Sequence, residues 1–94
     1  MADTTGHVSL VKVNATPNSN FALFEVLDAK TTPPTPEIFF VWWAPNDVNV
    51  PTGPQWMHRA LQVSLLRDAM LANKTVTVLH DDTSPFVNSL QVNA

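Results

Sequence analysis

The chain has 94 residues, which suits one domain with a core of its own. Five Lys and Arg against eight Asp and Glu give a net charge of −3, and the five cations (Lys12, Lys30, Arg59, Arg67, Lys74) form no basic patch, which argues against binding a nucleic-acid backbone by charge. There is no cysteine, which excludes disulfides, thiolate zinc sites and a cysteine nucleophile, and charged residues are only 14% of the chain, well below the roughly 25% of an ordinary soluble domain.

His7 to Val13 reads HVSLVKV. Val8 and Leu10 lie on one phase of an extended chain, and Val11 and Val13 on the other. A strand over 7–15 with a bulge, or one serving two sheets, accounts for that change of phase. TPNSN (16–20) is a polar turn. FALFEVLDA (21–29) is a second strand, with Phe21, Leu23 and Leu27 on one face and Ala22, Phe24 and Val26 on the other. KTTPPTP (30–36) contains three prolines and reads as a loop. EIFFVWW (37–43) is a third strand, apolar on both faces. Strict alternation puts Ile38, Phe40 and Trp42 on one side and Phe39, Val41 and Trp43 on the other.

APNDVNVPTGP (44–54) is an extended loop. Thr52, with Gln55 three residues on, makes a capping box, and Pro54 suits a first turn. A helix is expected over 53–72, ending at Asn73 as C-cap. At about 100° per residue, Trp56, Ala60, Val63, Leu66 and Met70 share one side, and Met57, Leu61 and Leu65 an adjoining one. That leaves a narrow strip to His58, Arg59 and Gln62. Either the helix is deeply packed, or one side meets the sheet and the other a neighbouring subunit. TVTVLHDD (75–82) and FVNSLQV (86–92) are strands four and five, separated by a TSP turn.

The order β-β-β-α-β-β is that of the OB-fold, an all-β class with one helix whose five strands form a Greek-key barrel. The segment QWMHRALQVSLLRDAMLANKTVTVLHDDTSPFVNSLQVNA resembles the B subunits of bacterial AB5 toxins, particularly the subtilase-cytotoxin type. The similarity lies in SLLRDAMLANK on the helix, KTVTV directly after it and the final FVNSLQVNA, and covers about residues 53–94. The resemblance implies an OB-fold that assembles into rings, commonly pentamers, and binds cell-surface glycans beside an A-type subunit. It also implies a glycan-contacting hydroxyl next to a glycine at the start of the first strand, where Thr5 precedes Gly6, and partner residues near Leu79 and His80.

Trp42 and Trp43 could offer a platform for a sugar ring, with Asn46, Asp47 and Asn49 to bond its hydroxyls. The plainer reading puts both tryptophans in the core or an interface. His80-Asp81-Asp82 offers ligand types for a metal but no third element, so a solvated turn is the better reading and no metal or cofactor is expected. No nucleophile elbow or phosphate-binding glycine loop occurs, so catalysis is not expected. No stretch approaches the roughly 18 apolar residues of a membrane span, so membrane insertion is not expected. The start, MADTTGHVS, lacks the basic and apolar regions of a signal peptide. That fits a cytoplasmic chain, or a secreted or periplasmic one whose signal has been removed.

The residues and the resemblance together point to a non-catalytic, homo-oligomeric, lectin-like binding module of one domain, 1–94. Its glycan contacts are expected from Thr5, Trp42, Trp43, Asn46, Asp47 and His80. Its subunit contacts are expected from Trp43, Trp56, Val63, Leu66 and Met70. The competing reading is an assembly protein that binds only its own copies or a partner protein. An OB-fold binder of single strands ranks last, because its aromatic platforms would lack a basic groove.

Overall fold

The computed structural model of the chain describes residues 2–16, 19–44 and 54–94. Its elements are β1 (Ala2–Thr16), β2 (Ser19–Asp28), β3 (Thr35–Ala44), α1 (Pro54–Leu71), β4 (Thr75–His80) and β5 (Val87–Val92). The strands form one five-stranded sheet in the order β3-β2-β1-β4-β5, and all four neighbouring pairs are antiparallel. Among the described residues the sheet does not close into a barrel by a ladder between its edge strands. Among the described residues β3 meets the approach to β5 through a parallel bridge, Phe40 to Phe86, with the Phe40 N–H donating to the Pro85 carbonyl at 2.9 Å. Strand β1 starts five residues before the expected position. Thr35 and Pro36, expected in the loop, belong to β3, where an edge strand tolerates a proline.

The core follows from alternation in β2. Ala22, Phe24 and Val26 point inward and are fully buried, while Phe21, Leu23 and Leu27 alternate outward. Phe24 lies opposite Phe39, their rings 5.6 Å apart, and Val8, Val41, Val76, Val78 and Val87 complete the inner face. Each such side chain contributes about 1.5–3 kcal/mol by leaving water. Helix α1 covers this face with Leu66 and Ala69, and Val63 and Met70 pack beside them.

Two bulges break the alternation. In β1 the register shifts between Val8 and Leu10, so that Ser9 is the extra residue. Val8 is buried, Leu10 is exposed and Val11 packs on the core, as the phase change in HVSLVKV requires. In β3 the shift lies opposite Ala22 and Leu23, which pair with Trp42 and Phe40 and leave Val41 as the extra residue. Strict alternation therefore fails here. Trp42 pairs with buried Ala22 and packs against the core, whereas Trp43 turns outward, 49% exposed, with its ring 5.9 Å from Phe40. The loop 30–36 does not cover this outer side. It closes on itself, the Thr35 N–H donating to Thr31 Oγ1 at 2.7 Å, and Ile38 stays 49% exposed.

The helix departs from expectation on its faces. Ala60 is exposed, while Arg59 and Gln62 are half-buried and bonded at 3.2 Å. The exposed side carries Met57, Leu61 and Leu65. Thr52 of the expected capping box lies outside the described residues. The C-terminal end is a Schellman motif: Lys74 N–H donates to Ala69 O at 2.9 Å, Asn73 N–H to Met70 O at 3.3 Å, and Asn73 takes the left-handed conformation, φ 55°.

Gly6 pairs on both sides, with Asp28 of β2 and Val76 of β4. A Cβ there would lie 1.8 Å from the Leu27 carbonyl oxygen, a backbone atom that cannot swing aside. Gly6→Ala is expected to lower stability in urea unfolding by at least about 2 kcal/mol, by forced displacement of two strands. Asn73→Gly is expected to be neutral or stabilising in the same assay, and Asn73→Ala to cost about 1 kcal/mol.

Candidate ligand-binding site

The five strands give the sheet an outer face, and the register sorts its residues into rows. Nearest the chain start, Asp3, Leu79 and Ser89 are opposite one another, followed by Thr5, Thr77 and Gln91. His7 and Thr75 come next, and the Asn93 N–H donates to the Thr75 carbonyl at 2.9 Å. Side chains in these rows bond one another. Thr5 and Thr77 hydroxyls are 3.0 Å apart, Asn93 Nδ2 donates to the hydroxyls of both Thr75 and Thr77 at 3.1 Å, and Gln91 Nε2 donates to Asn93 Oδ1 at 2.9 Å.

An uncharged array of hydroxyls and amides thus covers β1, β4 and β5. At its end lies an open depression of about 440 Å³ lined by Ala2, Asp3, Lys30, Leu79 and Asp82. Lys30 Nζ donates to Asp3 Oδ1 at 3.2 Å and to the Asp3 carbonyl at 3.3 Å. The mixture suits a neutral polyhydroxylated ligand: Leu79 for an apolar patch of C–H groups, and the carboxylates, ammonium, hydroxyls and amides for O–H groups.

Among the described residues, the expected glycan contacts Thr5, Trp42, Trp43 and His80 do not come together. Thr5 belongs to the polar array. Trp43 lies on the outer face at the far end of β3, in the row Trp43, Phe21, Asn14. Trp42 is turned inward, and its indole N–H donates to Asn20 Oδ1 at 2.7 Å. Asn46, Asp47 and Asn49 lie outside the described residues.

His80 is a correction to its reading as part of a solvated turn. The residue after Leu79 alternates inward, and His80 is buried with its ring 4.8 Å from that of Phe39. Its Nδ1 is 2.9 Å from the Asp81 carbonyl, an acceptor only, so that nitrogen carries a hydrogen. Its Nε2 is 3.2 Å from Thr4 Oγ1, which also lies 3.2 Å from Glu37 Oε2. This buried chain ties β4 to β1 and β3 from within the sheet. Among the described residues no three His, Asp or Glu side chains are grouped to hold a metal ion.

The expected interface residues divide likewise. Leu66 is fully buried within the chain, and Val63 and Met70 pack on the same core, so this side of the helix serves the chain's own sheet. The Trp56 side chain lies outside the described set. Trp43 alone of the five is a described, exposed outer-face residue. The reading from sequence missed Thr75, Thr77, Gln91 and Asn93, whose grouping depends on which strands become neighbours. The TVT alternation of β4 was the one local signal that Thr75 and Thr77 share a face.

Comparison with protein-family models, with curated protein sequences and with solved structures finds no match to the chain.

Thr4→Val keeps the shape of the side chain but removes the hydroxyl between Glu37 and His80. It is expected to cost about 1–3 kcal/mol in urea unfolding, because buried polar atoms lose their partner. The neighbouring outward residue offers a control: Thr5→Val, on the exposed side of the same strand, is expected to cost less than about 1 kcal/mol.

Proposed function

We propose that this chain is a non-catalytic, self-associating module that binds a glycan through the outer face of β1, β4 and β5. The observation that carries the reading is the uncharged hydroxyl and amide array of Thr5, Thr75, Thr77, Gln91 and Asn93 beside the open depression at Leu79. Sugars are recognised by many weak, directional bonds to O–H groups, and the array supplies donors and acceptors without the desolvation cost of fixed charges.

The same proposal takes the sheet as an OB-fold. Three features support it: the strand-strand-strand-helix-strand-strand order, the sharing of β1 between β2 and β4, and the Phe40–Phe86 bridge where β3 approaches β5. On that reading, and on the resemblance of residues 53–94 to AB5 toxin B subunits, the assembly is a ring, with five copies as the leading expectation and an A-type subunit as a candidate partner. The second reading, an assembly protein without a small ligand, is favoured by a separate observation: Trp43, Ile38, Met57, Leu61 and Leu65 are exposed apolar residues in a chain with few charges.

A glycan array separates the two. The native protein is expected to retain a defined set of glycans, and the double substitution Thr5→Val, Thr77→Val to reduce retention at least tenfold with unfolding unchanged within about 1 kcal/mol. No retained glycan, or retention insensitive to the two threonines, would leave the assembly reading standing alone. Single-stranded DNA in 150 mM salt is expected to give no measurable binding, because the net charge has the wrong sign. Micromolar binding there would reverse that ranking.

A further inference from the structure

We propose that copies of this chain join head to tail, with the exposed stripe of α1 on one copy seated on the apolar outer face of β2 and β3 on the next. The inference rests on the self-associating reading and names the two surfaces that meet. The first surface is Met57, Leu61 and Leu65, spaced at one helical turn and 68%, 57% and 43% exposed, with Leu71 on the same side. The second is Ile38, Phe40 and Trp43, continued by Phe86, whose ring is 5.8 Å from that of Phe40. Monomeric proteins seldom expose apolar patches beyond a few hundred Å².

Geometry chooses the partner. Helix α1 packs on the inner face of the sheet through Leu66 and Ala69, so its stripe points away from the sheet on that side. The β2–β3 patch is on the outer face and points the opposite way. A contact about a two-fold axis uses one patch twice and leaves the other in water. A different protein covering one patch does the same. A second copy placed head to tail covers both with one repeated contact.

Charge agrees with that pairing. Along the stripe, one turn past Leu65, the helix carries Asp68 beside Arg67, an exposed pair with N to O at 3.7 Å. The sheet patch carries Lys12 in the row of Leu23 and Phe40, and Glu25 in the row of Leu10 and Ile38. Lys12 can meet Asp68 and Glu25 can meet Arg67, so neither surface presents an unmatched sign to the other.

The test is complementation, read as native mass by light scattering or sedimentation. Trp43→Glu spoils the sheet patch, and Leu61→Glu spoils the stripe. Both positions are exposed, and Trp43→Ser with Leu61→Gln serve if the charged variants precipitate. The wild-type protein is expected to exceed single-chain mass. Each variant alone is expected to be monomeric, and an equal mixture to form a one-to-one heterodimer, since one variant keeps a good stripe and the other a good sheet patch. Lys12→Glu should weaken the wild-type assembly at least tenfold, and Asp68→Lys added to it should restore it. A monomeric wild type overturns both this pairing and the self-associating reading. An oligomeric wild type whose Leu61→Glu variant still dimerises, or whose mixed variants stay monomeric, overturns the pairing alone.

Discussion

The structure depends on one strand doing two jobs at a point where only glycine fits. At Gly6 and His7, β1 is paired with β2 on one side and β4 on the other. The sheet coils so tightly there that the Leu27 carbonyl occupies the space a Cβ would need. Three residues later the Ser9 bulge adds twist, just after β1 has left its pairing with β4 and runs beside β2 alone, with Ser9 Oγ donating to Glu25 Oε1 at 2.7 Å. A straight β1 would hold β4 and β5 flat beside β2 and leave α1 no concave face to cover.

The same bend divides the outer face. Before it, the rows across β1, β4 and β5 are threonine, serine, glutamine and asparagine with one leucine, bounded by Asp3 and His7 on β1. After it, the rows across β1, β2 and β3 are leucine, phenylalanine, isoleucine and tryptophan, broken by Lys12, Asn14 and Glu25. The inner face has a matching fixture. Thr4, Glu37 and His80 span β1, β3 and β4, and draw β3 toward the far half of the sheet from inside, as Phe40 and Pro85 do at the edge.

Local periodicity made the elements legible. The alternation of FALFEV, the spacing of Val63, Leu66 and Met70, and Asn73 after the helix each act over a few residues, and each is where that pattern placed it. Faces were legible only up to the bulges. In IFFVWW nothing local marks Val41 as the extra residue, so the outward tryptophan is Trp43 rather than Trp42. On the helix, the half-buried side includes Arg59 and Gln62, because long side chains lay their stems along apolar surface that hydrophobicity alone assigns to Ala60. The polar array was the least legible part. Thr5 and Thr77 are 72 residues apart, and Asn93 is 16 beyond Thr77, so strand order and register had to be known first.

The division of the outer face bears on how binding and assembly could coexist. A ligand site on the polar half needs solvent, whereas a subunit contact on the apolar half needs exclusion of it. Had Trp43 stood in the polar rows, the two demands would compete for one surface, and covering the aromatic ring would bury the sugar site. Because the Ser9 bulge separates them, a copy seated on Phe40 and Trp43 leaves Thr5, Thr77 and the depression at Leu79 open. If the proposed assembly and binding both hold, each added copy would contribute one more accessible site at a fixed spacing. Weak bonds to individual sugars sum when several sites meet one glycan-bearing surface, since every binding event after the first is effectively intramolecular. A shallow site that would be feeble alone is therefore consistent with useful affinity in an assembly.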